Sequence, residues 1–107
     1  MKKKYIVKEN RDFEDIIRNG KCIKGKSFIV HFKKNDLKYD RFGISVSKKI
    51  GNAVIRNKFK RKIRAIIDNN KKDYNNPKDY IIILRRSATE RSFQELDNEL
   101  SKFLKNE

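Results

Sequence analysis

The spacing of apolar residues changes twice between Phe28 and Leu84, and each change dictates a different backbone. From 26 to 34 the apolar side chains alternate, with Phe28, Val30 and Phe32 on one side and Ile29 and His31 on the other. A second alternating run sets Phe42, Ile44 and Val46 against Gly43, Ser45 and Ser47. A period of two is that of a half-buried strand. The turn-like Asn35-Asp36 and Lys38 to Asp40 between the runs predict an antiparallel hairpin. From about Asn52 to Asp68 the period lengthens, and Ile55, Phe59, Ile63, Ile66 and Ile67 form one helical stripe. Asn52 stands where a side-chain oxygen would cap that helix. Asn75-Asn76-Pro77 breaks the chain, and 79–85 then runs almost continuously apolar, as a central strand covered on both faces does. Strand, helix and strand in that order predict a crossover between parallel strands.

Two further helices flank this centre. Near the start, Asn10 reads as a cap, Asp12, Glu14 and Asp15 as acids complementing the helix dipole, and Gly20 as a stop. Phe13, Ile16 and Ile17 share its apolar face. Near the end, Ser92-Phe93-Gln94-Glu95 resembles a capping box opening a helix with Phe93, Leu96, Leu100, Phe103 and Leu104 on one side. The predicted order is helix, two or three strands, helix, strand, helix. A chain of 107 residues with 36% hydrophobic residues supports one modest core. The expectation is therefore one α+β domain over 1–107, a two-layer sandwich of sheet and helices.

Charge narrows the function. The formal net charge is +15, and like charges on one compact domain repel, so an acidic partner is expected. Between Arg41 and Ile67 there is no Asp or Glu but nine cations: Arg41, Lys48, Lys49, Arg56, Lys58, Lys60, Arg61, Lys62 and Arg64. On a helix, Asn57, Lys60, Arg61 and Arg64 fall opposite the apolar stripe, with Arg56 at the border. Such a one-sided distribution is that of a phosphate-binding face. The strand-to-helix loop Ser47-Lys48-Lys49-Ile50-Gly51-Asn52 offers backbone N–H groups to a phosphate as well. An anionic membrane is the rival partner, but the longest apolar run, Tyr80 to Leu84, is far too short to span a bilayer. Basic Met1 to Lys4 has no apolar stretch behind it, and Cys22 is the single cysteine. The expectation is a cytoplasmic protein without an obligate protein partner.

The block from Ser45 to Arg64, SVSKKIGNAVIRNKFKRKIR, closely resembles the signature of the bacterial ribonuclease P protein subunit, including its Arg-Asn-Arg/Lys motif as Arg56-Asn57-Lys58. Similarity extends to Asn10 to Phe13, Phe28 and Asp79 to Arg85. The resemblance implies an α-β-β-β-α-β-α order with a left-handed β-α-β crossover, against the usual right-handed rule. It also implies a protein that binds a catalytic RNA and helps it remove the 5′ leader of precursor tRNA, with Mg²⁺ held mainly by the RNA. Carried over by position, Lys48, Lys49, Asn52, Arg56, Asn57, Lys58, Arg61 and Arg64 are expected on the RNA subunit, and Lys60 joins them on the helix face. Phe13, Ile17 and His31 match positions of a cleft for the leader. Ile17 and His31 stand where other members often carry aromatics. Base–aromatic stacking is worth roughly 1–3 kcal/mol per base, and here His31 can still stack or hydrogen-bond while Ile17 offers only apolar contact.

No catalytic or metal-ligating set is expected in the chain itself. Cleavage of RNA by paired acid and base groups commonly needs two groups titrating near neutrality, and His31 is the sole histidine. The alternative on composition alone is a ribosomal or ribosome-associated protein binding structured RNA. A stand-alone nuclease lacks its acid–base pair, and a duplex DNA reader would lay the basic helix in a major groove.

Overall fold

The computed structural model describes residues 2–70 and 76–105. Its elements are helix α1 (Asn10–Asn19), strands β1 (Lys21–Lys24), β2 (Phe28–Lys34) and β3 (Arg41–Ser45), helix α2 (Ala53–Asp68), strand β4 (Lys78–Leu84) and helix α3 (Phe93–Lys105). Short 3₁₀ turns, Lys3–Tyr5 and Arg86–Glu90, stand before α1 and between β4 and α3. The α-β-β-β-α-β-α order is thus the one the resemblance implies.

The four strands form one sheet in the order β1-β2-β4-β3. The expected hairpin between the two alternating runs is not made. Instead β4 inserts between them, antiparallel to β2 with Val30 opposite Ile82, and parallel to β3 with Ile44 opposite Ile82. The physical reason lies in β4 itself. It is the most apolar strand, and the centre of the sheet satisfies its backbone on both edges while covering both faces. The loop from Asn35 to Asp40 therefore crosses the start of β4. The Asn35 N–H donates to the Pro77 carbonyl (3.2 Å), and the Lys78 N–H donates to a buried Asp40 oxygen (2.8 Å). The hairpin that does form joins β1 to β2, closed by the Gly25 N–H donating to the Phe28 carbonyl. The parallel crossover β3-α2-β4 is as expected. Of the predicted break, Asn75 lies outside the described residues, and Pro77 directly precedes β4.

Helices stand on both faces of the sheet. Phe28, Val30, Phe32, Phe42, Tyr80, Ile82 and Leu84 share one core with Phe59, Ile63, Ile66 and Ile67 of α2 and with Leu96 and Leu100 of α3. Ile81 points the other way, into a smaller cluster with Val7 and Ile16, against which Phe13 and Ile83 pack. So α1 adds a partial third layer to the two anticipated. Phe42 and Tyr80 stack across the β3–β4 pair at 5.2 Å between ring centroids.

Helix ends follow the sequence in part. Asn52 caps α2 by accepting from the Ile55 N–H (3.0 Å), and Ser92 and Glu95 exchange the two bonds of a capping box. The Ser92 N–H on its oxygen, and then the Ser92 hydroxyl, hold the Glu95 carboxyl below its ordinary range. Asn10 is not a cap. It is the first helical residue, and Glu9 precedes it without a side-chain capping bond, its carboxylate held by Arg11 instead. Gly20 does end α1, but with ordinary negative φ. A Cβ there would meet the Phe32 carbonyl oxygen at 2.4 Å, so close backbone approach requires the glycine.

Candidate nucleic-acid interface

Docking the apolar stripe of α2 on the sheet determines where its cations go. Phe59, Ile63, Ile66 and Ile67 are buried, while Asn57, Lys58, Arg61 and Arg64 are exposed and Arg56, Lys60 and Lys62 half-buried. Ile55 departs from the predicted stripe. It is 40% exposed and lies over Gly51, where a Cβ would come within 2.9 Å of it. Among the described residues none of Lys48, Lys49, Arg56, Lys58, Lys60, Arg61, Lys62 and Arg64 makes an ion pair with a carboxylate. Lys62 sits over the Phe59 ring at 5.1 Å. The Arg56 Nε is buried without a hydrogen-bond partner, an arrangement that costs free energy until an acceptor arrives.

Arg41 is the exception in the basic block. Its Nε and Nη2 donate to the two oxygens of Asp79 at 2.9 and 2.6 Å, and Asp12 lies 3.9 Å away. These bonds raise its pKa further above the ordinary arginine value, and its charge is spent inside the fold. The acids of α1 serve similarly. Asp12 alone lies in the first turn, and Asp15 accepts from Lys33 (2.6 Å) and Asn19 (2.6 Å), which lowers its pKa.

Two depressions border the free cations. An open groove on the outer side of α2 is lined by Val54, Asn57, Lys60, Arg61 and Arg64. A half-open cavity of about 110 Å³ at the sheet edge is lined by Ile6, Val7, Phe13, Phe42, Gly43, Ile44, Lys60 and Arg64. The ring of Phe13 reaches this cavity because β3 carries no side chain at Gly43, where a Cβ would lie 2.6 Å from the Phe13 Cζ. Lys60 and Arg64 line both depressions and so join the helix face to the aromatic floor.

Not every expected residue converges. Phe13, Lys60 and Arg64 meet in the cavity, but Ile17 and His31 do not line it. Ile17 is 44% exposed on α1. His31 lies on β2 between Cys22 of β1 and Ile81 of β4, on the face that α1 covers. Burial, and then the charge of Lys24, lowers its pKa, so its neutral form prevails at neutral pH. Lys48, Lys49 and Asn52 stand in the loop leading to α2, where the Ile50 N–H bonds back to the Ser47 carbonyl. Sequence patterning did not single out Ile6, Val7 or Gly43, because their part depends on strand neighbours that a local pattern does not encode. Among the described residues no group of three His, Cys, Asp or Glu side chains is placed to hold a metal ion, and no helix is long and apolar enough to cross a membrane.

A basic α+β domain that presents an unpaired cationic helix beside an aromatic-floored cavity has the build of a nucleic-acid-binding protein. The family model for ribonuclease P matches residues 1–107. The chain belongs to the bacterial ribonuclease P protein family. It is 44% identical over 106 residues to the ribonuclease P protein component of Mycoplasma mycoides, covering 98% of this chain and 97% of that one. To the component of Streptococcus agalactiae it is 41% identical over 108 residues, covering 98% and 95%. Among solved structures, the RNase P protein of Staphylococcus aureus superposes with a TM-score of 0.82 at 37% identity, covering 94% and 93%. That of Thermotoga maritima gives 0.83 at 31%, covering 94% and 96%. As a protein component of ribonuclease P, the chain takes part in 5′ maturation of tRNA.

Proposed function

We propose that the chain docks on the ribonuclease P RNA through the outer face of α2 and the loop before it, and takes the 5′ leader of precursor tRNA into the cavity between α2 and β3. One observation carries this reading: Lys60 and Arg64 line both depressions, so a single cationic strip borders the outer groove and the cavity alike. On the outer side Asn57, Lys58, Arg61 and Arg64 meet phosphates of the RNA subunit, joined by Lys48, Lys49 and Asn52 from the loop. Arg56 supplies a donor without an internal acceptor. On the inner side the Phe13 ring offers a stacking face, which suits unpaired bases of any sequence. Ile17 adds apolar contact and His31 a neutral ring farther along the sheet. Mg²⁺ supplies the hydrolytic chemistry from the RNA, and the protein's share is position and charge neutralisation.

The test combines the chain with a ribonuclease P RNA and precursor tRNA at low Mg²⁺. Rescue of cleavage is expected, and Lys60→Ala with Arg64→Ala should weaken both RNA-subunit binding and discrimination in favour of leader-bearing substrate. Absence of rescue, or cleavage by the protein without the RNA, would overturn the reading.

A further inference from the structure

Beside the cavity, at the end where β3 begins, two tyrosines form a pair that lies outside both depressions. Tyr5 and Tyr39 meet edge to face, with ring centroids 5.3 Å apart and planes at 84°. The Lys4 Nζ sits 5.0 Å from one centroid and 5.2 Å from the other. Both rings are partly exposed. Their backbones are held firmly. The Tyr5 N–H bonds the Lys2 carbonyl at 3.0 Å, and two residues on, the Val7 N–H bonds the Phe42 carbonyl at 2.9 Å. Across from it, Asn35 donates to the Tyr39 carbonyl at 3.2 Å, and neighbouring Asp40 is buried against the Lys78 N–H.

The pair is continuous with the cavity. Ile6, next to Tyr5, lines it, and so does Phe42, which Ile6 bridges. Charge around the pair is favourable to a polyanion. Lys2, Lys3, Lys4 and Lys8 have no Asp or Glu among them, and Lys38 adjoins Tyr39. Asp36 is the exposed carboxylate of that loop.

We infer that Tyr5 and Tyr39 form a second stacking platform for single-stranded RNA, which extends the leader's path past the Phe13 cavity along β3. The inference rests on the proposed leader path. Lys4 now lies against the rings where a base would lie; when a base enters, its ammonium moves to the adjoining phosphate and stays close to both. Because the tyrosines are already positioned by backbone bonds, little ordering is needed on binding. The platform offsets the missing aromatic at Ile17 by placing two rings elsewhere on the same strand's route.

The experiment compares two precursor tRNAs in the holoenzyme, one with a leader that ends within the cavity and one with a leader longer by several nucleotides. Tyr5→Leu with Tyr39→Leu keeps apolar bulk but removes stacking, whereas Tyr5→Phe with Tyr39→Phe preserves it. The leucine variant should lose about ten-fold in affinity for the extended leader, the worth of one stacked base. Its affinity for the short leader should be unchanged, with its melting temperature lowered only by the lost ring contacts, and the phenylalanine variant should bind both as wild type does. Equal loss on both leaders, no loss on either, or loss in the phenylalanine variant would overturn the inference. Rescue of cleavage at low Mg²⁺ on the short leader reports separately on the docking of α2.

Discussion

Replacing Arg61 and Arg64 together by Ala should separate RNA binding from folding. Both side chains are exposed and neither has a carboxylate partner among the described residues. Lys60 and Arg64 are like charges one helical turn apart, which costs roughly 0.2–0.5 kcal/mol, and Ala is the better helix former. Stability should therefore stay level or rise by up to about 0.5 kcal/mol. Binding should respond differently. Each phosphate contact contributes about 0.7–0.9 to the slope of log affinity against log salt, so losing two should flatten it by about 1.4–1.8. Filter binding to ribonuclease P RNA across a potassium chloride series at fixed Mg²⁺, paired with urea denaturation, measures both quantities. A slope equal to that of wild type would show that these arginines face away from the RNA. Destabilisation beyond about 1 kcal/mol would show that they are structural. Arg41→Ala supplies the contrast from within the same basic block. It leaves Asp79, whose side chain is 10% exposed, with Asn35 as its remaining donor. Breaking a buried pair costs about 3–5 kcal/mol, and the 23% exposure of the Arg41 side chain discounts this to about 1–3. The salt slope should barely move.

Gly43→Ala should drive a methyl group into Phe13 and Ile81, at 2.6 and 2.8 Å, costing about 1–3 kcal/mol and displacing the ring from the cavity; wild-type melting and leader affinity in this variant would contradict the proposed floor. Glu99→Ala removes the oxygen that accepts from the Ser27 and Phe28 N–H groups at 2.8 and 3.2 Å. The loss should be about 1–3 kcal/mol in urea denaturation, with faster amide exchange at the β1–β2 turn, and unchanged exchange there would count against it. His31 should titrate by NMR below the ordinary imidazole value of 6.5, since burial and Lys24 both disfavour its cation. With a folded pKa below the unfolded one, its contribution to stability is present above pH 6.5 and is lost as the pH falls through the folded value. Lys24→Ala should move the midpoint upward, and a wild-type midpoint at or above 6.5 would refute the argument.

Sequence periodicity located what is local. The stripe Phe59, Ile63, Ile66 and Ile67, the cap at Asn52 and the box at Ser92 are visible because one helical turn decides them. Alternation in β2 and β3 correctly separated Phe28, Val30 and Phe32 from Ile29 and His31, yet it says nothing about which strand lies alongside. The wrong hairpin followed from assigning neighbours in chain order, when the apolar demand of β4 claims both edges. β1 escaped detection by pattern because Lys21-Cys22-Ile23-Lys24 is a short edge strand with only Ile23 turned toward the core. Counting charges found the basic block but not the fate of Arg41, whose partner Asp79 is 38 residues distant. Phe13 is marked by the family resemblance, while the bare backbone at Gly43 that admits its ring is a matter of how α1 packs on β3, which local spacing does not encode.

The placement of β4 has a further consequence for how the molecule comes into being. A chain synthesised from its N-terminus presents β2, β3 and the whole of α2 before their common neighbour exists. Until Lys78–Leu84 slots between them, the greasy side of α2 has no sheet to rest on and the wall carrying Gly43 has no backing. The cationic helix and the Phe13-floored cavity therefore depend on the same strand, and a lesion that delays its arrival is expected to cost both.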